Sequence, residues 1–191
     1  MKDFKLRNLF VKPDLTNAEI DAAWKPNASP MQLNSGTLKT ATIEEGVISL
    51  GVNAFHSCKN LKEVTFAKTV ELIDKQCFMH CTSLTEIELP PKITTVSDYC
   101  FYSCSKLEKA TIPDTVTAIG SCAFWSCFVL EDVNIPKNCQ YIKNNAFTGV
   151  PFTSVALPDG LLEIGIEAFS NTRQLKKKII PESVTKIGEK V

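Results

Sequence analysis

A phenylalanine returns along this chain at positions 55, 78, 101, 124 and 147, 23 residues apart each time, and again at 169 after 22. Self-similarity at a fixed period of this size marks an array of small structural units, each unable to bury its own apolar side alone. Cysteine follows three residues after the phenylalanine at 58, 81, 104 and 127. The stretch from Leu107 to Cys127 serves as template, with the pattern L-x-x-[VA]-x-I-P-x-x-V-x-x-I-G-x-x-A-F-x-x-C. Units start at Leu38, Leu61, Leu84, Leu107, Leu130, Phe152 and Leu175. One residue is missing between Phe147 and Phe152, where Thr148-Gly149-Val150-Pro151 makes a shorter connection. A loss in a turn is expected to change little backbone pairing. The final unit stops at Val191, one residue before its expected phenylalanine, and so predicts an uncovered end.

Each unit reads as one coil. In Leu84-Thr85-Glu86-Ile87-Glu88-Leu89, Ile87 and Leu89 fall on one side and Glu86 and Glu88 on the other, the period-two pattern of a strand with one wet face. Proline at 90, 113, 136, 158 and 181 closes the strand, since it has no N–H for the ladder. A second apolar pair follows, as in Val116 and Ile119, and gives a short return strand. Glycine at 51, 120, 165 and 188 then marks a bend, read here as a position suited to positive φ. Ala123, Phe124 and Cys127 stand at i, i+1 and i+4, the spacing of one helical turn. The predicted fold is an α/β solenoid: a right-handed coil of about seven short parallel strands with short return strands and helical turns, each phenylalanine resting on the next.

Residues 1–37 lie outside the repeat. Thr16-Asn17-Ala18-Glu19 has capping-box spacing, and Leu15, Ile20 and Trp24 line one side of a short predicted helix over about 17–24. Pro26 ends it. The domain reading is therefore an N-terminal helical cap over 1–37, covering the open apolar end of a stack over 38–191.

The residues Leu107, Ile112, Pro113, Val116, Ile119, Gly120, Ala123, Phe124 and Cys127, with their equivalents, resemble the BspA-type leucine-rich repeat. The resemblance runs from about Leu38 to Val191. It implies a curved solenoid of the kind found on surface proteins of anaerobic bacteria and some protists, adhering to host proteins or other cells. A cell-surface or secreted location follows from the resemblance alone. Met1 to Phe10 does not read as a signal peptide, because Lys2, Asp3, Lys5 and Arg7 interrupt it.

Charge and chemistry narrow the function. The chain carries 21 basic and 21 acidic residues, which leaves no electrostatic footprint for nucleic acid or an anionic membrane. No apolar run reaches the ~20 residues that span a bilayer. Catalytic signatures are missing: no G-x-S-x-G, phosphate loop, H-E-x-x-H or dinucleotide fingerprint occurs, so the reading is non-enzymatic, with no cofactor. Glu63, Glu86 and Glu88 neighbour one another, but an exposed strand surface is expected to offer no pocket for acid–base work.

Eight cysteines invite a disulfide or metal reading. Cys77-Phe78-Met79-His80-Cys81, with Cys58, Cys100 and Cys104 one coil away, has the donors for zinc. The repeat itself explains most of these: Cys58, Cys81, Cys104 and Cys127 share one core slot, Cys77 and Cys100 replace an alanine, and Cys139 replaces a valine. Free cysteine behaves as a small buried hydrophobe, so reduced thiols and no metal are expected. Cys122 has no such slot.

Recognition is expected on the outward strand residues, which form two columns across the sheet: Glu63, Thr65, Glu86, Glu88, Lys109, Thr111, Asp132, Asn134, Ser154, Ala156, Lys177 and Ile179. The partner would be a protein or glycan surface. A competing face holds Trp125, Tyr99, Tyr102 and Phe128 around the turns. The alternative function is assembly, with the open end near Val191 joining further repeats or a second copy.

Overall fold

The computed structural model describes residues 38–172, 174–175 and 179–191, together with a two-residue strand at Lys5–Leu6. The expected helix over 17–24 lies outside the described residues. Thirteen strands occur among those described. The first-half strands are β1 (Lys5–Leu6), β2 (Thr40–Ile43), β4 (Glu63–Thr65), β6 (Glu86–Glu88), β8 (Lys109–Thr111) and β10 (Asp132–Val133). The return strands are β3 (Ser49–Leu50), β5 (Leu72–Ile73), β7 (Thr95–Val96), β9 (Ala118–Ile119), β11 (Tyr141–Ile142), β12 (Glu163–Ile164) and β13 (Lys186–Ile187).

The first-half strands form the front of the solenoid and the return strands its back. Pairing is parallel throughout, and the register repeats the sequence period: Thr40 pairs with Glu63, and Glu86 with Lys109. In front, β1-β2-β4 and β6-β8-β10 are separate ladders; behind, β3-β5 and β7-β9-β11-β12-β13 are separate. Both interruptions fall between the same two coils. There the Thr85 N–H reaches the Lys62 carbonyl only at 3.5 Å, and the Ser97 hydroxyl donates to the Ile73 carbonyl at 2.6 Å. In the coils on either side of this step a backbone N–H makes the corresponding bond, as from Asp74 to Leu50 O and from Gly120 to Val96 O.

Among the described residues the front ladder stops short of the expected seven strands, and the stretch of the seventh unit at 176–178 lies outside them. β10 ends the front ladder, and residues 153–157 form no strand. The reason lies in the shortened connection. Phe152 stands where other units have leucine, and its ring enters the core beside Phe147 (5.5 Å) and Phe169 (5.9 Å). The missing residue thus leaves residues 153–157 outside the front ladder, contrary to the expectation, while the back ladder passes from β11 to β12 undisturbed.

The phenylalanines stack as the period requires. Successive ring centroids from Phe55 to Phe78, Phe101, Phe124, Phe147 and Phe169 lie 5.1, 5.5, 5.3, 5.4 and 5.5 Å apart, with planes within 14° of parallel. The distance slightly exceeds the ~4.8 Å between paired strands, so backbone pairing sets the ring spacing. Leu61, Leu84, Leu107 and Leu130 fill the same core, fully buried.

The predicted helical turns are not present; no helix occurs among the described residues. Two left-handed residues flank each phenylalanine instead, at positions two before and two after it: Asn53 and Ser57, Gln76 and His80, Tyr99 and Ser103, Cys122 and Ser126, Asn145 and Gly149, Glu167 and Asn171. The N–H groups then alternate. Those of Ala54, His56 and Cys58 bond back three residues, to Gly51, Asn53 and Phe55, as in β-turns. Those of Asn53, Phe55 and Ser57 leave the coil for the carbonyls of Lys75, Cys77 and Met79 in the next, at 2.7–3.1 Å. A helical turn would keep these donors to itself. The turns are thus a third ladder along the stack, and it stays continuous where front and back ladders break: Phe78 N–H still reaches Cys100 O at 2.9 Å. Cys122, without a slot in the sequence reading, occupies one of these left-handed positions.

The repeat glycines also need a different explanation. Only Gly46 and Gly149 have positive φ among the described glycines. Gly120 and Gly165 are places of close approach: a Cβ there would lie 2.6 Å from the Asp98 nitrogen or 2.5 Å from the Asn144 nitrogen of the preceding coil. The side chains of Asp98 and Asn144 use this closeness, accepting from the N–H of Ser121 and of Ile166, both at 2.9 Å.

Candidate interaction surfaces

Alternation on the front strands buries Val64, Ile87 and Ala110 and turns their neighbours outward. Glu63, Thr65, Glu86, Glu88, Lys109 and Thr111 line a single hollow of about 870 Å³, walled by Pro90, Pro91 and Pro113. The strand face therefore does hold a pocket, contrary to expectation, and it lies across the interrupted step between β4 and β6. Among the described residues, the carboxylates of Glu63, Glu86 and Glu88 have no hydrogen-bond or ion-pair partner. Of the two lysines at the rim, Lys109 is held by Asp132 at 3.2 Å, and Lys68 has no ion-pair partner among the described residues.

The other expected residues divide. Asp132 is exposed on β10 and committed to that ion pair. Asn134 is a structural residue: its amide accepts from the Ile112 N–H and donates to the Ile112 carbonyl, both at 2.8 Å, extending the ladder past the end of β8. Ser154, Ala156 and Ile179 are exposed beyond the front ladder. Lys177 lies outside the described residues.

The turn face carries an aromatic column. His56, His80, Tyr102 and Trp125 meet edge to face, with centroids 5.7, 5.4 and 5.6 Å apart. This accounts for His80, which the repeat pattern left unexplained: it occupies a left-handed position, tolerated by histidine, and packs between two rings. Burial, then the neighbouring His80, lowers the pKa of His56. Next to Trp125, Phe128 is 61% exposed. These two rings, with Ser126, Pro151, Asn171 and Gln174, border a second hollow of about 530 Å³.

The thiols have structural work. Cys81, Cys104 and Cys127 each donate to the carbonyl of the phenylalanine one coil back, Phe55, Phe78 and Phe101, at 3.1–3.2 Å. All eight cysteines are buried, and none is in a disulfide. Burial pushes the thiols of Cys77, Cys81, Cys100 and Cys104 far up, Cys127 up to about 12 and Cys139 up to about 11. Nucleophilic and metal-binding sulfur is the thiolate, which these sites disfavour. No group of three or more His, Cys, Asp or Glu among the described residues is placed to hold a metal ion. Nor is any helix among them long and apolar enough to cross a membrane.

Among solved structures, the chain is similar to a leucine-rich repeat protein of T. pallidum, with 28% identity and a TM-score of 0.71 over 79% of this chain and 73% of that one. It is also similar to a leucine-rich repeat protein of Bacteroides ovatus, with 24% identity and a TM-score of 0.62 over 80% of this chain and 46% of that one. One from Eubacterium ventriosum gives 20% identity and a TM-score of 0.52 over 81% of this chain and 42% of that one. No curated protein matches the chain. The model of the BspA type leucine rich repeat region matches residues 32–151 and 140–191, in six copies. With its phenylalanine stack, its paired coils and a match that spans most of its length, the chain belongs to the BspA type leucine-rich repeat family.

Proposed function

We propose that this chain is a non-enzymatic, adhesion-type protein-binding module that engages its partner through the front strand face. The family suggests a protein-interaction or surface repeat module. The observation that carries the choice of face is the hollow over β4, β6 and β8, where three carboxylates have no partner among the described residues. Unpaired charges at a rim steer and select a partner of opposite sign. Replacing Glu86 and Glu88 together by lysine is the test, with binding measured to immobilised cell-surface and matrix proteins. The double variant should lose about tenfold or more in affinity. Its stability should stay within about 0.5 kcal/mol of the parent, because both sites are on the surface. Unchanged affinity for a proven partner would move the binding site off this face.

A second reading, assembly through the far end of the stack, is favoured by one observation. Ile187 on β13 is 50% exposed, whereas its counterparts Ile119, Ile142 and Ile164 are fully buried by the coil that follows. A further coil, from this chain or another copy, would cover it. Light scattering should then show concentration-dependent association that Ile187→Glu suppresses. A monomer at every concentration speaks against this reading.

A further inference from the structure

The hollow beside Trp125 lies on the turn face, away from the strand face, and its chemistry differs. None of the described residues lining it is charged. Two aromatic side chains border it, the half-buried Trp125 and the exposed Phe128. The position of Phe128 depends on Gly149, where a Cβ would come within 3.0 Å of the ring. Gly149 also adopts φ 83°. It therefore meets two demands at once, a left-handed turn and room for an aromatic ring laid against the backbone.

The polar groups around the rings, among the described residues, are neutral. The Ser126 hydroxyl and the amides of Asn171 and Gln174 have no hydrogen-bond partner among the described residues. Thr148, by contrast, is spent on the fold, donating to the Glu167 carbonyl at 2.7 Å. An amide offers two donors and an acceptor within one rigid plane. That set matches adjacent hydroxyls on a ring, one of which donates while the other accepts. Aromatic faces meanwhile match an array of C–H groups, which they cover without needing a charge.

A ligand with an apolar C–H face, a rim of paired hydroxyls and no charge is a pyranose sugar. An ionic ligand would give up hydration here without finding a counter-charge among the described lining residues. The volume of about 530 Å³ falls within the ~300–1,000 Å³ of small-molecule sites. We propose that the Trp125–Phe128 hollow binds a neutral saccharide, with the two rings as platform and Ser126, Asn171 and Gln174 as hydroxyl partners. This site is separate from the strand face, and its ligand is independent of any protein bound there.

Trp125 is its own reporter, since the chain has two tryptophans and Trp24→Phe leaves Trp125 as the single one. Its emission would be followed during titration with neutral hexasaccharides of glucose, mannose, galactose and N-acetylglucosamine, with a heparin hexasaccharide as the anionic control. The indole NMR signal of Trp125 in the unaltered chain gives the same reading if the Trp24 variant folds poorly. At least one neutral sugar should produce a saturable shift. Phe128→Ser and Gln174→Ala should each weaken it by about tenfold while the thermal midpoint holds. The proposal is overturned if no neutral sugar shifts the signal at about 10 mM, far above the ~1 mM of weak binding. A shift that survives Phe128→Ser, or a preference for heparin, also overturns it. So does a dimer that Phe128→Ser converts to monomer, for then the hollow receives a second copy.

Discussion

Raising the pH from 8 to 10 should unfold this protein. Six thiols, those of Cys77, Cys81, Cys100, Cys104, Cys127 and Cys139, are held protonated in the native state by burial. In the unfolded chain the same groups ionise near ~8.5. The folded pKa lies above the unfolded one. The associated stability is therefore complete below about pH 8.5 and is lost as pH rises toward the folded values, about 12 for Cys127 and about 11 for Cys139. Each thiol that ionises only on unfolding contributes about 1.4 kcal/mol per pH unit. Six together remove roughly 8 kcal/mol per unit once fully engaged, against a total stability of about 5–15 kcal/mol. Urea denaturation under reducing conditions at a series of pH values measures the slope directly. The Cys81→Ala/Cys104→Ala variant should lower that slope by about two thiols' worth, whatever its starting stability. A stability that stays level between pH 8 and 10 would mean the sulfurs are already ionised or bridged.

The second large effect is expected from Phe101→Ala. Phe101 is fully buried, with Phe78 5.5 Å to one side and Phe124 5.3 Å to the other. Truncation leaves a cavity in mid-stack, at a cost of about 3–5 kcal/mol. The rings on either side cannot close the gap, because the turn ladder fixes their spacing on both sides of Phe101, and the front and back ladders add to it on the Phe124 side. For a chain of this length, about 4 kcal/mol corresponds to a thermal midpoint lowered by roughly 8–16 °C. Differential scanning calorimetry tests this. Phe128→Ala is the matched control, an aromatic of the same size on the surface, and should change the midpoint by little. A similar fall for both variants would contradict the stack as the main element of the core.

Much of this architecture is legible in the residues. The phenylalanine period predicts the stack, the strand alternation predicts which side chains are wet, and the cysteine slots predict buried thiols. The turns are not legible in the same way. Ala, Phe and Cys at i, i+1 and i+4 suit one helical turn and also suit two successive β-turns, and both bury the same three side chains. What separates them is backbone conformation at the flanking positions. One of those columns does carry a trace of it: Ser57, His80, Ser103, Ser126, Gly149 and Asn171 are small, polar or glycine. The other column, which includes Tyr99 and Cys122, does not, because there the inter-coil bonds override a preference of about 1–2 kcal/mol.

The strand-face columns were legible as positions, not as roles. Nothing in the letter Asn distinguishes Asn134, which completes a ladder, from an asparagine left free for recognition. Nor does the pattern show that Glu63, Glu86 and Glu88 share a hollow, since this depends on how two neighbouring coils meet where their ladders part.

The third ladder has a consequence for how such proteins change length. Every turn N–H that leaves its coil finds a carbonyl in the adjacent coil and none farther away, so nothing within a coil records how many others exist. Duplicating or deleting one whole unit would restore the same bonds at the new junction. Losing a single residue is another matter, as the shortened link before Phe152 illustrates by leaving residues 153–157 outside the front ladder. Growth by complete modules is the inexpensive evolutionary step, and reach along the axis is the property left free for selection to adjust.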